Sequence, residues 1–302
     1  MEQNVRDFLS CLRVGKGYSN NTIVAYRNDL AQFFRWVSDL TDPTVNSWAD
    51  VSKNVLISYV LYLKTDREYA TATVARKIAA IKSFFHHLMG EGVIEDNPTA
   101  TLDSPKVRKY LPKAISQEDV EKLLSAPQLR PGPRSLRDRA ILEMLYASGM
   151  RVSELVALNV GDVDLASASV RCVGKAGKER VIPIYPQAAR AIDKYISEGR
   201  IQLMRDPDEK ALFLNHRGRR LTRQGLWLII KRYVEEVGIN DPVTPHTLRH
   251  SFATHMLSGG ADLQDVQALL GHASISTTQV YRQITDEKMR RIYDEAHPKA
   301  EH

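Results

Sequence analysis

Ser169-Val170-Arg171-Cys172-Val173 and Arg180-Val181-Ile182-Pro183-Ile184 are β-rich runs, and Gly174-Lys175-Ala176-Gly177-Lys178-Glu179 between them is a glycine-containing loop. Two such runs joined by a short glycine loop predict an antiparallel hairpin. The sequence on either side is helical in period. Upstream, Ser116-Gln117-Glu118-Asp119 opens a helix with the acidic first turn that the helix dipole favours, and apolar Val120, Leu123 and Leu124 follow. A longer helix is expected from about Arg137 through Tyr146, stopping at Gly149. Downstream the chain is again mainly helical. This half is therefore a helical body with a small antiparallel sheet. The chain contains neither GxGxxG nor GxxxxGK[ST], so dinucleotide-binding and P-loop folds are excluded.

Further upstream, Asn97-Pro98-Thr99-Ala100-Thr101-Leu102-Asp103-Ser104-Pro105-Lys106 combines prolines and turn formers with no apolar period, and Tyr110-Leu111-Pro112-Lys113 continues it. This reads as a linker over 97–112, between a first domain at 1–96 and a second at 113–302. The first domain is predicted to be all α. Ile23, Leu30, Phe33, Phe34 and Val37 recur at helical spacing, as do Val74, Ile78, Ile81, Phe85 and Leu88. Thr71 or Thr73 is expected to cap the second of these helices. Arg76, Lys77 and Lys82 then fall off its apolar stripe, either as a solvated face or as a DNA-contacting one.

A chain of 302 residues suits two domains of ordinary size. With 43% apolar and 26% charged residues, and glycine and proline scattered without period, it is neither collagen-like nor disordered. Apolar runs stop at about five residues, as in Leu226 to Ile230, well short of the ~20 that span a bilayer. The first residues carry Glu2, Arg6 and Asp7 and lack the apolar core of a secretion signal, so a cytoplasmic protein is expected. Cys11 and Cys172 cannot form a disulfide framework and read as reduced core thiols. The net charge of +6 arises entirely beyond residue 107, where 30 of the 42 Lys and Arg meet 24 of the 36 acids. A basic excess of this kind favours polyanionic partners.

Four clusters collect chemistry. In Ser148-Gly149-Met150-Arg151-Val152-Ser153-Glu154-Leu155, Arg151 stands at a helix start, where a cation opposes the dipole, either paired with Glu154 or free for an anion. The hairpin loop presents Lys175 and Lys178. Pro245-His246-Thr247-Leu248-Arg249-His250-Ser251-Phe252-Ala253-Thr254-His255 reads as a helix with His246, Arg249 and His250 on one side. The His246/His250 spacing also suits zinc, but Thr247 replaces the general-base Glu and Arg249 would set a fixed cation beside the metal. Finally, Leu270-Gly271-His272 ends one helix, and Ser276 with Gln279 caps another that carries Tyr281. Together these residues offer bidentate phosphate donors, a mobile lysine proton, histidines and a tyrosine nucleophile. There is no carboxylate cluster for magnesium, so phosphoryl transfer here would be stabilised by fixed cations.

The four motifs, in order and spacing, resemble the tyrosine site-specific recombinases, most closely the bacterial Xer recombinases. Thr22 to Leu30 and Asp96-Asn97-Pro98 extend the resemblance over nearly the whole chain. It implies that Tyr281 attacks a DNA phosphodiester to form a 3′-phosphotyrosine. It further implies that Lys175 protonates the 5′ leaving oxygen, that Arg151, Arg249 and His272 hold the phosphate, and that His246 serves as an acid/base or hydrogen-bonding partner. No cofactor is implied. The two domains would form a C-shaped clamp on duplex DNA. Four protomers would assemble there through a Holliday junction, as one kind or mixed with a sister recombinase, driven by a septal DNA translocase where relatives do not act alone, to resolve chromosome or plasmid dimers at cell division. Arg282 and Gln283 depart from the Tyr-Thr-His common in Xer relatives. Arg223 and Gln224, at the start of an amphipathic helix with Leu226, Ile229, Ile230 and Tyr233 inward, are expected to read bases or clamp phosphates. A type IB topoisomerase would share the nucleophile and cation cage, and a DNA-binding protein with a dead site is the alternative from another class.

Overall fold

The computed structural model describes residues 1–14, 18–41, 44–103, 114–174, 177, 179–271 and 286–300. The chain divides into two units, Met1–Tyr110 and Leu111–His302. The described part of the first unit is helical: α1 (Glu2–Val14), α2 (Asn20–Ser38), α3 (Lys53–Thr65) and α4 (Thr71–Gly90). The expected stripes of α2 and α4 face one core, with Ile23, Leu30, Phe33 and Val37 meeting Val74, Ile78, Ile81, Phe85 and Leu88. Trp48 closes that core edge-on to Phe84 and Phe85, with ring centroids 4.9 and 6.0 Å away.

Two expectations for α4 are corrected. Neither Thr71 nor Thr73 caps it. The amides of Thr73 and Val74 already donate to the Ala70 carbonyl, so the helix begins at Thr71 with Ala70 as a cap that offers no side-chain acceptor. Lys77 is not on an outer face. It is 6% exposed, and its ammonium donates to Asp29 at 2.9 Å and to Gln32 at 2.6 Å. Arg76 reaches the same Asp29 carboxylate from an exposed position, and Lys82 is half-buried. On the helix wheel Lys77 lies beside the apolar Val74 and Ile81, at the edge of the buried stripe, and the carboxylate on α2 draws it inward. A buried cation needs such a partner.

The second unit opens with α5 (Gln117–Ser125), capped as expected by Ser116, whose Oγ accepts from the Asp119 amide. Next comes α6 (Pro133–Ser148), which begins four residues before the expected Arg137 because Pro133 takes the first helical position, where no amide is needed. From Ala140 to Ser148 every residue of α6 is buried, so this helix is the axis on which the others pack. Asp138 anchors its first half, accepting from Arg137, Arg232 and Tyr233. Then follow α7 (Val152–Ala157), β1 (Val163–Asp164), β2 (Ser169–Val173) and β3 (Glu179–Pro183).

The sheet is antiparallel in the order β1-β2-β3, and Ser169 lies opposite Pro183 and Val173 opposite Glu179. The hairpin stands one residue earlier on its second strand than expected, and the two-residue β1 was too short to show an alternating pattern. The remaining elements are α8 (Pro186–Lys194), a π-helical turn at Tyr195–Arg200 running into α9 (Ile201–Leu203), α10 (Arg223–Glu236), α11 (Pro245–Ser258), α12 (Leu263–Leu270) and α13 (Asp286–Ala296). The last of these packs on β3, α11 and α12, and Tyr293 donates to the Ala147 carbonyl at 2.9 Å. Cys172 is buried as expected, whereas Cys11 is only half-buried. No helix among the described residues is long and apolar enough to cross a membrane.

The Asp29–Lys77 pair yields a test. Asp29→Ala leaves a buried ammonium without its anion and is expected to cost about 3 kcal/mol or more, whereas Asp29→Ala combined with Lys77→Met recovers most of that loss. Urea denaturation of the three proteins measures both. Equal losses in the single and double variants would mean that the ion pair is not what Asp29 supports.

Candidate active site

Two helices end at the same place. α6 stops at Gly149 and α12 at Gly271, both in the left-handed conformation, with φ of 55° and 64°. Glycine is required at Gly149 for a second reason, because a Cβ there would lie 2.4 Å from Cδ1 of Phe252. The carbonyls exposed at these C-termini converge on Arg249, on α11. Its guanidinium donates through Nη1 to Gly149 O at 2.6 Å and through Nη2 to Leu270 O at 2.7 Å. Burial, then the charge of Arg151, pushes Arg249 down to about 10, so it remains a cation at neutral pH.

Arg151 is the N-cap of α7, where its charge opposes the dipole. Glu154 at the third helical position offsets this. Its Oε2 accepts from the Arg151 amide at 2.7 Å and its Oε1 from Arg151 Nη1 at 3.0 Å. Arg180, on β3, holds the same carboxylate from inside the fold, with Nη1 on Oε1 at 3.1 Å and Nη2 on Oε2 at 2.9 Å. Burial of Glu154 pulls its pKa up, but the hydrogen bonds from Arg180 and from the Arg151 amide, with the charge of Arg180, hold it at about 2. Two guanidinium groups thus bind one ionised carboxylate, and the third, on Arg249, lies within reach of their charges. The excess positive charge forms a fixed anion cradle at the junction of α6, α7, α11 and α12. The Cys172 thiol beside it is pushed up to about 11, chiefly by burial, and stays protonated.

Of the candidates read from the sequence, Arg151 and Arg249 come together here. His246 is exposed in the first turn of α11, three residues before Arg249. Thr247, which stands where a zinc motif carries Glu, is spent on the helix cap: Thr244 Oγ1 accepts from its amide and its own Oγ1 accepts from the Thr244 amide, both at 3.1 Å. Among the described residues no group of three His, Cys, Asp or Glu is placed to hold a metal ion. His255 is structural, its Nδ1 paired with the Tyr146 hydroxyl at 2.9 Å. Lys175, Lys178, His272, the Ser276/Gln279 cap, Tyr281, Arg282 and Gln283 lie outside the described residues.

Arg223 and Gln224 are exposed at the start of α10, which Thr222 caps, and Leu226, Ile229, Ile230 and Tyr233 point inward as expected. The sequence reading missed Arg180. Its signal was positional, because Arg180 and Ile182 share the inward face of a short strand, and a cation on that face requires a buried anion.

Residues 113–288 match the Phage integrase family and residues 5–92 its N-terminal SAM-like domain. The chain belongs to this family as a Xer-type tyrosine recombinase, an enzyme class that recombines DNA at specific sites by strand cleavage and rejoining. It is 54% identical to the tyrosine recombinase XerC of Herpetosiphon aurantiacus, over 98% of this chain and 95% of that one. It is 44% identical to the tyrosine recombinase XerD of Halalkalibacterium halodurans, over 99% of both. In fold it resembles the XerH recombinase solved on its palindromic difH substrate after cleavage, with a TM-score of 0.66 at 24% identity, covering 89% of this chain and 78% of that one.

Gly149→Ala is expected to cost about 1–3 kcal/mol, since it combines an unfavourable φ with overpacking against Phe252. A thermal midpoint unchanged from the parent would show that the backbone at the end of α6 is not held as described.

Proposed function

We propose that Tyr281, Lys175, Arg151, Arg249, His246 and His272 form one catalytic set for DNA strand transfer. The observation that carries this reading is the cradle at the ends of α6 and α12, where backbone carbonyls hold Arg249 and the Glu154 carboxylate holds Arg151. Its cations face a dianionic phosphorane without the help of a metal ion.

Tyr281 Oη bonds to phosphorus and the bond to the 5′ oxygen breaks. Lys175 gives that oxygen its proton, and His246 takes the phenolic proton from Tyr281. Arg151, Arg249 and His272 donate to the non-bridging oxygens. The 3′-phosphotyrosine stores the energy of the broken phosphodiester, so rejoining draws on no nucleotide cofactor. Attack by the 5′-hydroxyl of a partner duplex completes strand exchange and gives a Holliday junction.

Residues 1–96 are proposed as the core-binding DNA domain, 97–112 as the linker and 113–302 as the catalytic domain. Arg76 and Lys82 remain candidates for the DNA backbone. Lys77 is instead spent on Asp29 and Gln32. The exposed Arg223 and Gln224 are proposed to read base edges, since arginine suits guanine and glutamine adenine. Close relatives bearing both the XerC and XerD names support a cytoplasmic recombinase that acts as a tetramer on a duplex site. That tetramer would be a homo-tetramer or one shared with a sister recombinase, and a septal DNA translocase is its proposed activator in resolving chromosome or plasmid dimers.

Duplex sites selected by the protein from its host genome, nicked to trap the adduct, supply the test. Tyr281→Phe should abolish covalent attachment while leaving duplex affinity within a few-fold, because only the nucleophilic oxygen is lost. A covalent adduct in the variant would reject the assignment. Relaxation of supercoils without recombination between two sites would favour the topoisomerase reading.

Lys175→Ala should slow cleavage about 100-fold or more, in the range a general acid supplies, and a 5′-bridging phosphorothioate should rescue it. Sulfur leaves without a proton. A variant equally slow on both substrates would assign Lys175 to DNA affinity alone.

A further inference from the structure

Glu154 has no acceptor site to spare. An ionised carboxylate offers about four lone-pair positions. Here Oε1 takes Arg151 Nη1 and Arg180 Nη1, and Oε2 takes the Arg151 amide and Arg180 Nη2. The two arginines differ in depth. Arg180 is 15% exposed and binds both oxygens as a fork, whereas Arg151 is 40% exposed and gives the carboxylate one guanidinium nitrogen. The other terminal nitrogen, Nη2, lies 3.5 Å from Gly271 O, at the limit of a hydrogen bond, and can meet an anion with its remaining N–H.

The third donor of Arg180 reaches elsewhere. Its Nε gives to Leu269 O at 3.0 Å, one residue before the Leu270 carbonyl that holds Arg249. Its guanidinium lies so close to Gly271 that a Cβ there would stand 2.9 Å from Nη1. One side chain on the strand that follows the Lys175 loop is thereby tied to the carboxylate of the Arg151 helix and to the last turn before His272.

We propose that Arg180 is a positioning residue for the strand-cleavage reaction: by filling half of the Glu154 carboxylate it keeps Arg151 from being drawn into a closed ion pair, and it fixes the end of α12 relative to β3. This rests on the reading of Arg151 as a phosphate clamp. Arg180 does not touch the phosphate. Without it two acceptor sites on Glu154 open, and Arg151, whose Nη2 is held only by the 3.5 Å bond to Gly271 O, swings in to form the bidentate pair that arginine and carboxylate prefer. The phosphate then loses a cation that is still present in the chain. Lysine cannot take over, because one ammonium nitrogen cannot span both carboxylate oxygens and the Leu269 carbonyl.

The full-length chain is assayed on a nicked duplex bearing its selected site, made once with the native scissile phosphate and once with a methylphosphonate. The methylphosphonate is neutral and develops one negative charge fewer in the transition state. Wild type and Tyr281→Phe are run alongside. An adduct in wild type that is absent from Tyr281→Phe shows that the functional reading holds, and the Arg180 variants then decide the inference. If wild type forms no Tyr281-dependent adduct, both fall.

Arg180→Lys is expected to slow cleavage of the native phosphate by about 100-fold, the scale of a misplaced reacting group, with duplex affinity within about three-fold of wild type. On the methylphosphonate that deficit should shrink to a few-fold. Arg180→Gln joined to Glu154→Gln, which removes the competing carboxylate charge, should cleave the native phosphate faster than Arg180→Gln alone. It also serves if Arg180→Lys does not fold. Wild-type cleavage by the Arg180 variants would overturn the inference. So would an equal deficit on the two substrates, or a double variant no faster than Arg180→Gln.

Discussion

The guanidinium of Arg249, buried between the carbonyl of Gly149 and that of Leu270, is the contact on which the rest of the catalytic unit depends. Helix C-termini carry unpaired carbonyls and a partial negative charge, and bringing two of them together inside a protein is unfavourable without a cation between them. Arg249 supplies that cation. The arrangement is mutually determined, since a buried guanidinium needs acceptors as much as the helix ends need a donor. The two left-handed glycines make it geometrically available, because each turns the chain sharply while leaving its helix carbonyls bare.

The electrostatics follow from the same packing. Arg151 and Arg180 share one ionised carboxylate, and Arg249 lies near enough to feel their charges, a grouping that repels itself when no further anion is present. Such a cradle is preorganised. Its donors are already oriented by Glu154 and by backbone carbonyls, so they would meet an anion without having to reorganise as charge develops. The Glu154 carboxylate remains ionised at any pH well above about 2, despite its burial, because its partners are fixed cations. This makes the cradle insensitive to proton concentration through the physiological range.

Beneath the cradle, α6 provides the rigidity. It is buried on all sides from Ala140 to Ser148, and its first half is pinned by Asp138 to Arg137, Arg232 and Tyr233. A helix enclosed in this way transmits position rather than absorbing it, since a close-packed interior yields little. The C-terminal α13 is joined to the same helix through the Tyr293 hydroxyl on Ala147 O, two residues before Gly149. The segment leading from Gly271 into α13, which contains His272 and Tyr281, therefore begins and ends on elements tied to α6 and α11.

By itself the sequence determined what is encoded within a few residues. The apolar spacing of α2, α4 and α10, the Ser116 cap, the stops at Gly149 and Gly271 and the hairpin between Val173 and Glu179 all follow from local period and turn chemistry, and all stand in the structure. The sequence also singled out Arg151 and Arg249, because each sits in a motif whose residue types suit phosphate, and the fold brings the two together. It did not show what each charge is paired with. Lys77 lies 48 positions from Asp29, Arg180 lies 26 from Glu154, and Arg249 lies 100 from the Gly149 carbonyl. No periodicity reports such distances. A charged side chain reads as exposed until the fold brings it an anion, and only tertiary packing, by removing the water that would otherwise satisfy it, decided that Lys77 belongs to a core and Arg180 to the Glu154 carboxylate.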